Sequence, residues 1–328
     1  MSARKQTQLI YILAASHSGS TLLASLLASH PQICTAGELK LTSLGDVSQY
    51  RCSCRALIDQ CPFWQAVRAN MFRRGFSFSI GEAGTHFSSG ASQYIGRLLR
   101  PLHRGRILEH MRDLALALSP TWQSQFPIIQ ARNAALAASI CECSGKPVIV
   151  DSSKIALRLK YLLRNPALSI KVVRLVRDGR GVALTYTDPA AFADAKDPHL
   201  RGGGMGGDRQ GERLSFAEAT WEWRRSTEEA DSVIRTLSQD QWTEVHYEDL
   251  CARPKETLDR LFRFIDVVPV QGPTHLGSEE NHIIGNGMRF DMASEVRLDD
   301  RWKSNLGAHD LRIFDEIAGP LSRRLGYA

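Results

Sequence analysis

The stretch LIYILAASHSGSTLLASLLASH, residues 9–30, decides the fold of this chain. An apolar, β-branched run ends in two alanines, a small polar loop follows at residues 16–21, and an apolar helical pattern begins at once. A strand, a tight Gly/Ser loop and a helix N-terminus together form a cradle for an anion. The first helical turn leaves backbone N–H groups unsatisfied, and the helix dipole adds positive potential there. The sequence therefore predicts a ligand that carries phosphate or sulfate.

This loop differs from the phosphate loop of nucleoside triphosphatases. That motif, GxxxxGK[ST], opens on a glycine and places a lysine directly before its hydroxyl residue. Here no glycine opens the loop and no lysine precedes Ser20. The pattern therefore disfavours ATP as the ligand.

Length and composition are those of a globular protein. The chain has 328 residues, 43% of them hydrophobic, which is enough for one large core or two modest ones. No uncharged apolar run reaches the roughly 18 residues of a membrane span, and the N-terminal apolar run lacks the cleavage pattern of a secretory signal. Seven cysteines, an odd number in a chain of this length, fit a reducing compartment. We therefore expect a cytoplasmic protein without a membrane span.

The charge balance argues against nucleic acid as a partner. The 41 Lys and Arg exceed the 35 Asp and Glu by a small margin, for a formal net charge of +6, and the basic residues are dispersed. Proteins that bind nucleic acid usually concentrate such an excess in one patch. A small anionic nucleotide is the better match.

Short apolar runs alternate with helical patterns along the chain. Strand signals are nearly continuous in apolar residues, as in strands buried on both faces of a parallel sheet, and fall at 9–15, 147–150, 170–176 and 242–247. Helical patterns lie at 21–29, 154–164, 216–237, 254–265 and 308–325. The alternation predicts an α/β protein with a P-loop-like, three-layer fold, in which helices flank a central parallel sheet.

Two segments depart from this alternation. Residues 62–140 contain no clear strand and predict a helical insertion over the ligand-bearing edge of the sheet. Residues 187–215 include GGGMGG at 202–207, which cannot hold a helix or strand. A loop of this length in a compact domain is either disordered or a lid over the site. We favour a lid, on a single domain that spans residues 1–328.

A second informative stretch is VRLVRDGRGVALTY, residues 173–186. A buried strand ends at Val176, and ligands of open α/β sheets lie beyond the carboxyl ends of strands. Arg177, at that end, can give a phosphate a forked pair of hydrogen bonds. Thr185 follows about two helical turns later, on nearly the same face. For an isolated arginine, pairing with Asp178 or another surface carboxylate is the simpler interpretation.

Six motifs in order resemble those of the sulfotransferases that use 3′-phosphoadenosine 5′-phosphosulfate (PAPS). The matching segments are SHSGSTLL at 16–23 with HP at 30–31, VDSSK at 150–154, VRLVRDGR at 173–180, HYEDL at 246–250, HIIGNGMR at 282–289, and the tail RWKSNL…IAGPLSRRLGY at 301–327. The resemblance is closest to bacterial members and to the tyrosylprotein and carbohydrate branches. It leaves roughly residues 62–140 and 187–215 unmatched.

The resemblance implies a binding site for PAPS as co-substrate, with no metal required. The 5′-phosphosulfate would lie on the loop formed by Ser16, His17, Ser18, Gly19, Ser20 and Thr21. Arg177 and Thr185 would hold the 3′-phosphate, together with a residue of a C-terminal loop. Spacing does not choose among Asn286, Arg289 and Arg297, and we take Arg289 as the candidate.

The resemblance also implies the catalytic groups. Glu38, in the Gly37-Glu38 pair, matches the general base of the tyrosylprotein branch, and a carboxylate can take the proton of a hydroxyl that attacks sulfur in line. Without the family, Glu38 is an ordinary exposed glutamate on a loop. The family usually has Lys or Arg where this chain has His17, so Lys154 is our candidate for the cation that stabilises the leaving oxygen. In the tyrosylprotein branch the corresponding lysine lies two positions earlier, at Ser152 of this chain.

Three cysteines lie close together in the sequence. Cys52, Cys54 and Cys61 form CxCx6C, which differs from the paired C-x2-4-C spacing of zinc knuckles. A metal would need a fourth ligand from elsewhere, such as Cys34. The alternative is buried thiols or an oxidation-prone pair, and we expect no metal.

The sequence therefore predicts transfer of a sulfuryl group from PAPS to the hydroxyl of an acceptor: a carbohydrate, a lipid or another small molecule. Two alternatives stay open. A P-loop nucleotide kinase or hydrolase would share the fold, and fold does not fix function. A catalytically inactive, nucleotide-binding regulatory protein is the other; His17 leaves it open, whereas Glu38 and Lys154 argue against it.

Overall fold

A five-stranded parallel β-sheet forms the centre of the protein in a computed structural model. The structure describes residues 6–41, 44, 46–100, 105–188, 195, 197–200, 213–270, 281–285, 287–290 and 296–327. The strands are β1 (Thr7–Ala14), β2 (Ile33–Thr35), β3 (Val148–Lys154), β4 (Leu168–Val176) and β5 (Trp242–His246). Their order across the sheet is β2-β3-β1-β4-β5, and every neighbouring pair is parallel.

Helices cover both faces of this sheet. In the described ranges they are α1 (Ser20–Ala28), α2 (Pro62–Arg73), α3 (Gln93–Leu98), α4 (Gly105–Ala117), α5 (Pro120–Ser144), α6 (Ala156–Leu162), α7 (Gly179–Thr187), α8 (Phe216–Ile234), α9 (Tyr247–Ala252), α10 (Pro254–Ile265), α11 (Trp302–Asn305) and α12 (Ala308–Arg324). Among the described residues, no helix has the combination of length and apolar character needed to cross a bilayer.

The central strand β1 contributes side chains to two cores. Leu9, Tyr11 and Leu13 pack in one cluster with residues of α5 and α6, whereas Ile10 and Ile12 pack in another with residues of α1 and α10. Side chains of a strand alternate between the two faces of its sheet, so a run that is apolar at every position fills a core on each side. The predicted α/β class and its three layers are confirmed.

Most expected elements agree with the structure to within a few residues. The strand expected at 147–150 extends to Lys154, and the helix expected at 154–164 begins two residues later, as α6. β2 was not predicted from the sequence, since its three residues are too few to show a period. In the expected insertion at 62–140, the described residues form α2, α3, α4 and most of α5. Of the expected lid, residues 189–194, 196 and 201–212 lie outside the described ranges.

The parallel arrangement places the carboxyl ends of all five strands at one edge of the sheet. The register pairs Leu13, near the end of β1, with Lys154, the last residue of β3. The same edge carries the loop after β1, the Gly37-Glu38 turn after β2, and Arg177 directly after β4. This is the edge at which open α/β sheets bind ligands.

Candidate active site

The loop after β1 turns sharply into α1. His17 (φ 61°) and Gly19 (φ 88°) both have left-handed backbone conformations, and Gly19 is the N-cap residue of α1. A side chain at Gly19 would be strained, and its Cβ would lie 2.7 Å from Cδ2 of Tyr247. No side chain caps the first turn of α1. Its N–H groups are therefore placed as an anion-binding helix N-terminus requires.

The side chains of this loop support the same interpretation. The hydroxyl of Ser18 is buried and has no hydrogen-bond partner among the described residues. An unsatisfied buried polar group costs about 1–3 kcal/mol, so a bound anion would supply a missing partner. Ser16 hydrogen-bonds to Tyr186, whose pKa burial raises to about 12. The ring of His17 packs edge-on against the same tyrosine, with 4.6 Å between ring centroids.

Glu38 lies between two lysine side chains. Its carboxylate accepts a short hydrogen bond from Nζ of Lys154 and forms an ion pair with Nζ of Lys40, 2.9 Å away. Burial by itself would raise the pKa of this carboxyl, but the charges of the two lysines outweigh burial and lower the pKa to about 2. Only 16% of the side chain is exposed, so Glu38 is not an ordinary exposed glutamate.

Lys154 reaches Glu38 because β3 is irregular at its end. The register between β1 and β3 shifts between Tyr11 and Leu13, and Lys154 has φ 69°. A non-glycine residue in this region costs roughly 1–3 kcal/mol, and such strain is concentrated at functional sites. The structure thus brings the predicted base and the predicted cation into direct contact.

A buried hydrogen-bond network fixes the backbone beside Glu38. Oδ1 of Asp151 accepts hydrogen bonds from the N–H of Leu39 at 3.1 Å and from Oγ of Ser153 at 2.5 Å. Oγ of Ser153 in turn accepts one from the N–H of Lys40 at 3.0 Å. The positioning role of Asp151 and Ser153 was not predicted from the sequence. The available signal was polar residues in a buried strand, since a buried polar group needs a partner.

Arg158 connects this network to the helical segment. Its guanidinium donates to Oδ1 of Asn133 in α5 at 2.8 Å and to the carbonyl oxygen of Thr85 at 2.8 Å, and it lies 3.3 Å from Oδ2 of Asp151. The hydroxyl of Thr85 donates to the carbonyl oxygen of Leu39 at 3.0 Å. Residues of the 62–140 segment therefore hold the Glu38 loop in place.

A distant segment, residues 281–285, packs against the same loop. Gly37 (φ 85°) forms a parallel bridge with Ile284, and a Cβ at Gly37 would lie 2.1 Å from the carbonyl oxygen of Ile284. Gly285 (φ 115°) faces Glu38, and a Cβ there would lie 3.3 Å from its Cγ. The close approach of the two backbones requires a glycine at position 37, whereas at position 285 it is the left-handed φ that favours glycine.

Arg177 lies beside the loop at residues 16–21, here called the anion loop, but other groups of the protein already bind its guanidinium. Its guanidinium donates to the carbonyl oxygen of His17 at 2.7 Å, forms an ion pair with the Asp299 carboxylate at 3.0 Å, and lies over the ring of Tyr247. Hydrogen bonding from Arg301 and the charge of Arg177 outweigh burial and lower the pKa of Asp299 to about 2. The carboxylate partner of Arg177 is therefore Asp299 and not Asp178, its neighbour in the sequence.

Thr185 and Arg289, also predicted to hold the 3′-phosphate, both form hydrogen bonds with backbone carbonyl oxygens of the protein. The hydroxyl of Thr185 donates to the backbone carbonyl one turn earlier in α7, at 2.9 Å. Arg289 is buried and donates to the carbonyl oxygens of Arg51 at 3.0 Å and Gly285 at 3.1 Å. Asn286 lies outside the described residues. These ligand contacts stay predictions.

The motif at 246–250 braces the loop after β4. Oε1 of Glu248 accepts a hydrogen bond from the N–H of Asp178 at 3.1 Å, and its Oε2 accepts one from the hydroxyl of Tyr327 at 2.6 Å. Asp178 caps α7 by accepting from the N–H of Arg180 and forms an ion pair with the same arginine. Two motifs of the family pattern thus position the segment that carries Arg177.

The three clustered cysteines meet a histidine from the far end of the chain. The ligand atoms of Cys52, Cys54, Cys61 and His282 all lie within 4.8 Å of one another. Cys34, considered above as a fourth ligand, does not belong to this group; its Sγ donates to the carbonyl oxygen of Val148. The sequence did not predict that His282 contacts these cysteines, because 221 positions separate it from Cys61.

Comparison with known proteins gives one curated relative. The chain is 27% identical over 218 residues to carbohydrate sulfotransferase 5 of Mus musculus. This match supports assignment to the sulfotransferase family. The alignment covers 61% of this chain and 53% of the mouse protein, so the chain spans about half the length of that sulfotransferase. No family model matches the sequence.

Solved sulfotransferase structures resemble the chain over nearly its full length. The sulfotransferase domain of the curacin biosynthetic pathway has a TM-score of 0.49 and 20% identity, covering 99% of both chains. The sulfotransferase domain of the Synechococcus PCC 7002 olefin synthase has a TM-score of 0.46 and 18% identity, covering 97% of both. Similarity at this level does not extend to the roles of single residues.

Proposed function

We propose that the protein transfers the sulfuryl group of PAPS to a hydroxyl of a carbohydrate or another small molecule. The observation that carries the proposal is the meeting of an anion loop and a Glu38–Lys154 pair at one edge of the sheet. The similarity to a carbohydrate sulfotransferase supports the same reaction class. The activity, the donor and the acceptor class are all part of this proposal.

The donor's 5′-phosphosulfate would bind at the N-terminus of α1. The N–H groups of the first turn, the hydroxyl of Ser18 and the ring of His17 would contact it there. Arg177 would bind the 3′-phosphate. Because Asp299 already pairs with that guanidinium, the carboxylate must give way when the phosphate arrives. We infer that donor binding exchanges one anion for another on Arg177.

In the transfer step, the acceptor oxygen forms a bond to sulfur while the bond between sulfur and the bridging oxygen breaks. The electron pair of the broken bond stays on the 5′-phosphate of the departing 3′,5′-adenosine bisphosphate (PAP). The hydroxyl proton passes to Glu38, and the ammonium group of Lys154 stabilises the charge that develops on the bridging oxygen. Catalysis of such a loose transition state rests on positioning and electrostatics.

The contact between Glu38 and Lys154 links these two roles. A carboxyl with a pKa of about 2 is a weak base, because the two lysines favour its charged form. When Lys154 turns from Glu38 to the bridging oxygen, the carboxylate loses one of these charges and its proton affinity rises. The base therefore becomes stronger as the leaving group is stabilised.

Thermal unfolding with two ligands tests the proposal. PAP at about a hundred times its Kd stabilises a protein that binds it by about 2.7 kcal/mol, which raises the Tm measurably. We expect this shift with PAP and a smaller one with ATP and magnesium. A shift with ATP and magnesium alone would contradict the proposal in favour of a kinase or hydrolase. Binding of PAP without sulfation of any acceptor, in an assay with radiolabelled donor, would indicate a regulatory protein.

A further inference from the structure

We propose that Cys52, Cys54, Cys61 and His282 bind a single structural zinc ion. This reverses the expectation of no metal, which rested on the spacing of the cysteines alone. The transfer reaction proposed above uses none of these four residues.

The distances fit tetrahedral coordination. Zinc binds cysteine sulfur at about 2.3 Å and histidine nitrogen at about 2.0–2.1 Å, so a tetrahedron places two sulfurs about 3.8 Å apart and sulfur and nitrogen about 3.5 Å apart. Sγ of Cys54 lies 3.7 Å from Sγ of Cys61. Nδ1 of His282 lies 3.6 Å from Sγ of Cys52 and 3.2 Å from Sγ of Cys61. Three of the six ligand pairs thus lie within about 0.3 Å of the separations that a shared zinc ion imposes, and all four ligand atoms lie within 4.8 Å of one another.

The same distances argue against a disulfide. Bonded sulfurs lie about 2.05 Å apart, whereas the sulfurs of Cys54 and Cys61 are 3.7 Å apart, and all seven cysteines are free. Cys52 and Cys61 are buried, while Cys54 and His282 are partly exposed and leave a path from solvent. Burial of apolar thiols does not by itself account for a histidine nitrogen that faces the sulfurs of Cys52 and Cys61.

The local backbone shapes the ligand set. The chain reverses direction after Cys52 in a tight turn in which Arg55 has φ 67°. Two backbone hydrogen bonds close this turn. The N–H of Arg55 donates to the carbonyl oxygen of Cys52 at 2.8 Å, and the N–H of Cys52 donates to the carbonyl oxygen of Ala56 at 3.0 Å. This turn brings the sulfurs of Cys52 and Cys54 to one side. The CxC spacing therefore suits a metal despite its departure from paired knuckles.

The ring of His282 is held in the orientation that a ligand needs. It stacks on Phe63, with 4.6 Å between ring centroids and 8° between ring planes. Stacking leaves Nδ1 facing the sulfurs of Cys52 and Cys61. Three thiolates and an imidazole form a set typical of zinc, and four protein ligands leave no open position for substrate. The site is therefore structural.

The ion would join two segments that border the active site. Two hydrogen bonds already join these segments. The N–H of Ser53 donates to the carbonyl oxygen of Ile283 at 3.1 Å, and the N–H of Ile283 donates to the side-chain Oγ of Ser53 at 2.8 Å. The next residue, Ile284, bridges Gly37 beside Glu38. Zinc would thus stabilise the segment against which the proposed base packs.

Metal analysis of the full-length protein tests the site directly. We expect about one zinc per chain in protein purified without a polyhistidine tag, and visible absorption bands of tetrahedral thiolate coordination after exchange for cobalt. The variants C54S and H282A should lose the zinc and the cobalt bands. H282C, which supplies a fourth thiolate, should keep both. C143S is the matched control, since this cysteine is also partly exposed but lies outside the cluster, and it should bind zinc normally.

Several outcomes would overturn the proposal. These are wild-type protein that binds neither zinc nor cobalt when supplied with them, iron in place of zinc, a disulfide between two of the cysteines, or full zinc content in H282A. If C54S and H282A fail to fold, titrating the wild-type thiols with a mercurial remains decisive: zinc must be released as the thiols react, with a lower Tm. These measurements use no nucleotide, so their result is independent of the proposed transferase activity.

Discussion

At the scale of single residues, the charges around Glu38 set what this side chain can do. Two ammonium groups keep it ionised, and one of them, Lys154, is also the predicted partner of the leaving group. In the proposed reaction, Glu38 cannot act as the base until Lys154 moves away from it. The low pKa of Glu38 therefore describes the resting protein and not the proposed step of proton transfer.

Replacing Glu38 by Gln tests its role as base. The amide has nearly the same shape but cannot take a proton, so we expect kcat to fall by about 10²–10⁴-fold, the usual contribution of general base catalysis. Binding of PAP, measured by calorimetry, should change little, because Glu38 is not among the residues proposed to contact the nucleotide. Turnover close to that of the wild type would remove Glu38 as the base.

Arg177→Ala tests the 3′-phosphate contact. Charge-assisted hydrogen bonds contribute about 1.5–3 kcal/mol, so we expect the Kd for PAP to rise by about 10–100-fold. The Kd for 5′-AMP, which has no 3′-phosphate, should change little. A companion variant, Asp299→Asn, removes the competing carboxylate and should tighten the binding of PAP. Equal losses for PAP and 5′-AMP in the alanine variant would contradict the assignment.

At the scale of elements, the unit formed by β1, its loop and α1 depends on backbone that only glycine adopts freely. Gly19 has a left-handed φ, and the ring of Tyr247 at the start of α9 leaves no room for a Cβ at this position. The conformation of the anion loop thus depends on its own glycine and on packing against α9, which follows β5. The need for a glycine in the loop can be read from the sequence, whereas the packing against Tyr247 cannot.

Gly19→Ala separates these two requirements when it is compared with Gly75→Ala. Gly75 also has a left-handed φ, 86°, but no atom lies within 4 Å of the position of its missing Cβ. Left-handed backbone costs an alanine about 1–2 kcal/mol, so both variants should lose stability in urea unfolding. Gly19→Ala should lose more, and it alone should weaken the binding of PAP. Equal effects of the two variants on PAP binding would show that the loop geometry is not required.

At the scale of the whole molecule, the parallel sheet gathers residues from most of the chain at one edge. Glu38 and Lys154 are 116 positions apart in the sequence, and Arg177 and Asp299 are 122 positions apart. The register of β1 against β3 and β4 decides which of these residues meet. The site is therefore a property of the completed sheet and not of any one motif.

Unfolding at acidic pH tests how far the Glu38 ion pairs stabilise the fold. The folded-state pKa of Glu38, about 2, lies below the ordinary value of 4.5. Its contribution is therefore present above pH 4.5 and is lost as the pH falls from there towards about 2. We expect the free energy of unfolding of the wild type to fall more steeply over this range than that of Glu38→Gln. Parallel curves would show that the pairing does not contribute to stability.

Much of the fold follows from local patterns in the sequence. The apolar runs of β1, β3, β4 and β5 and the periodic helices between them each identify an element without reference to any other. β2 escaped notice because three residues carry almost no periodic signal. The roles of Glu38 and Lys154 were predicted through the family resemblance, whereas those of Asp151, Asp299 and His282 were not. Asp151 and His282 lie in matched motifs, but their importance depends on the distant residues that they contact.

The sequence by itself determined the α/β class, the anion loop with its Gly19 and the chemistry available to each side chain, because these depend on neighbours within a few positions. Only the tertiary structure decided that Lys154 pairs with Glu38, that Asp299 engages Arg177 and that His282 joins the three cysteines. Such contacts depend on strand register and on the path of distant segments. A hydrogen bond or a metal ligand set requires atoms placed to within a fraction of an ångström, and only the packed fold supplies that placement.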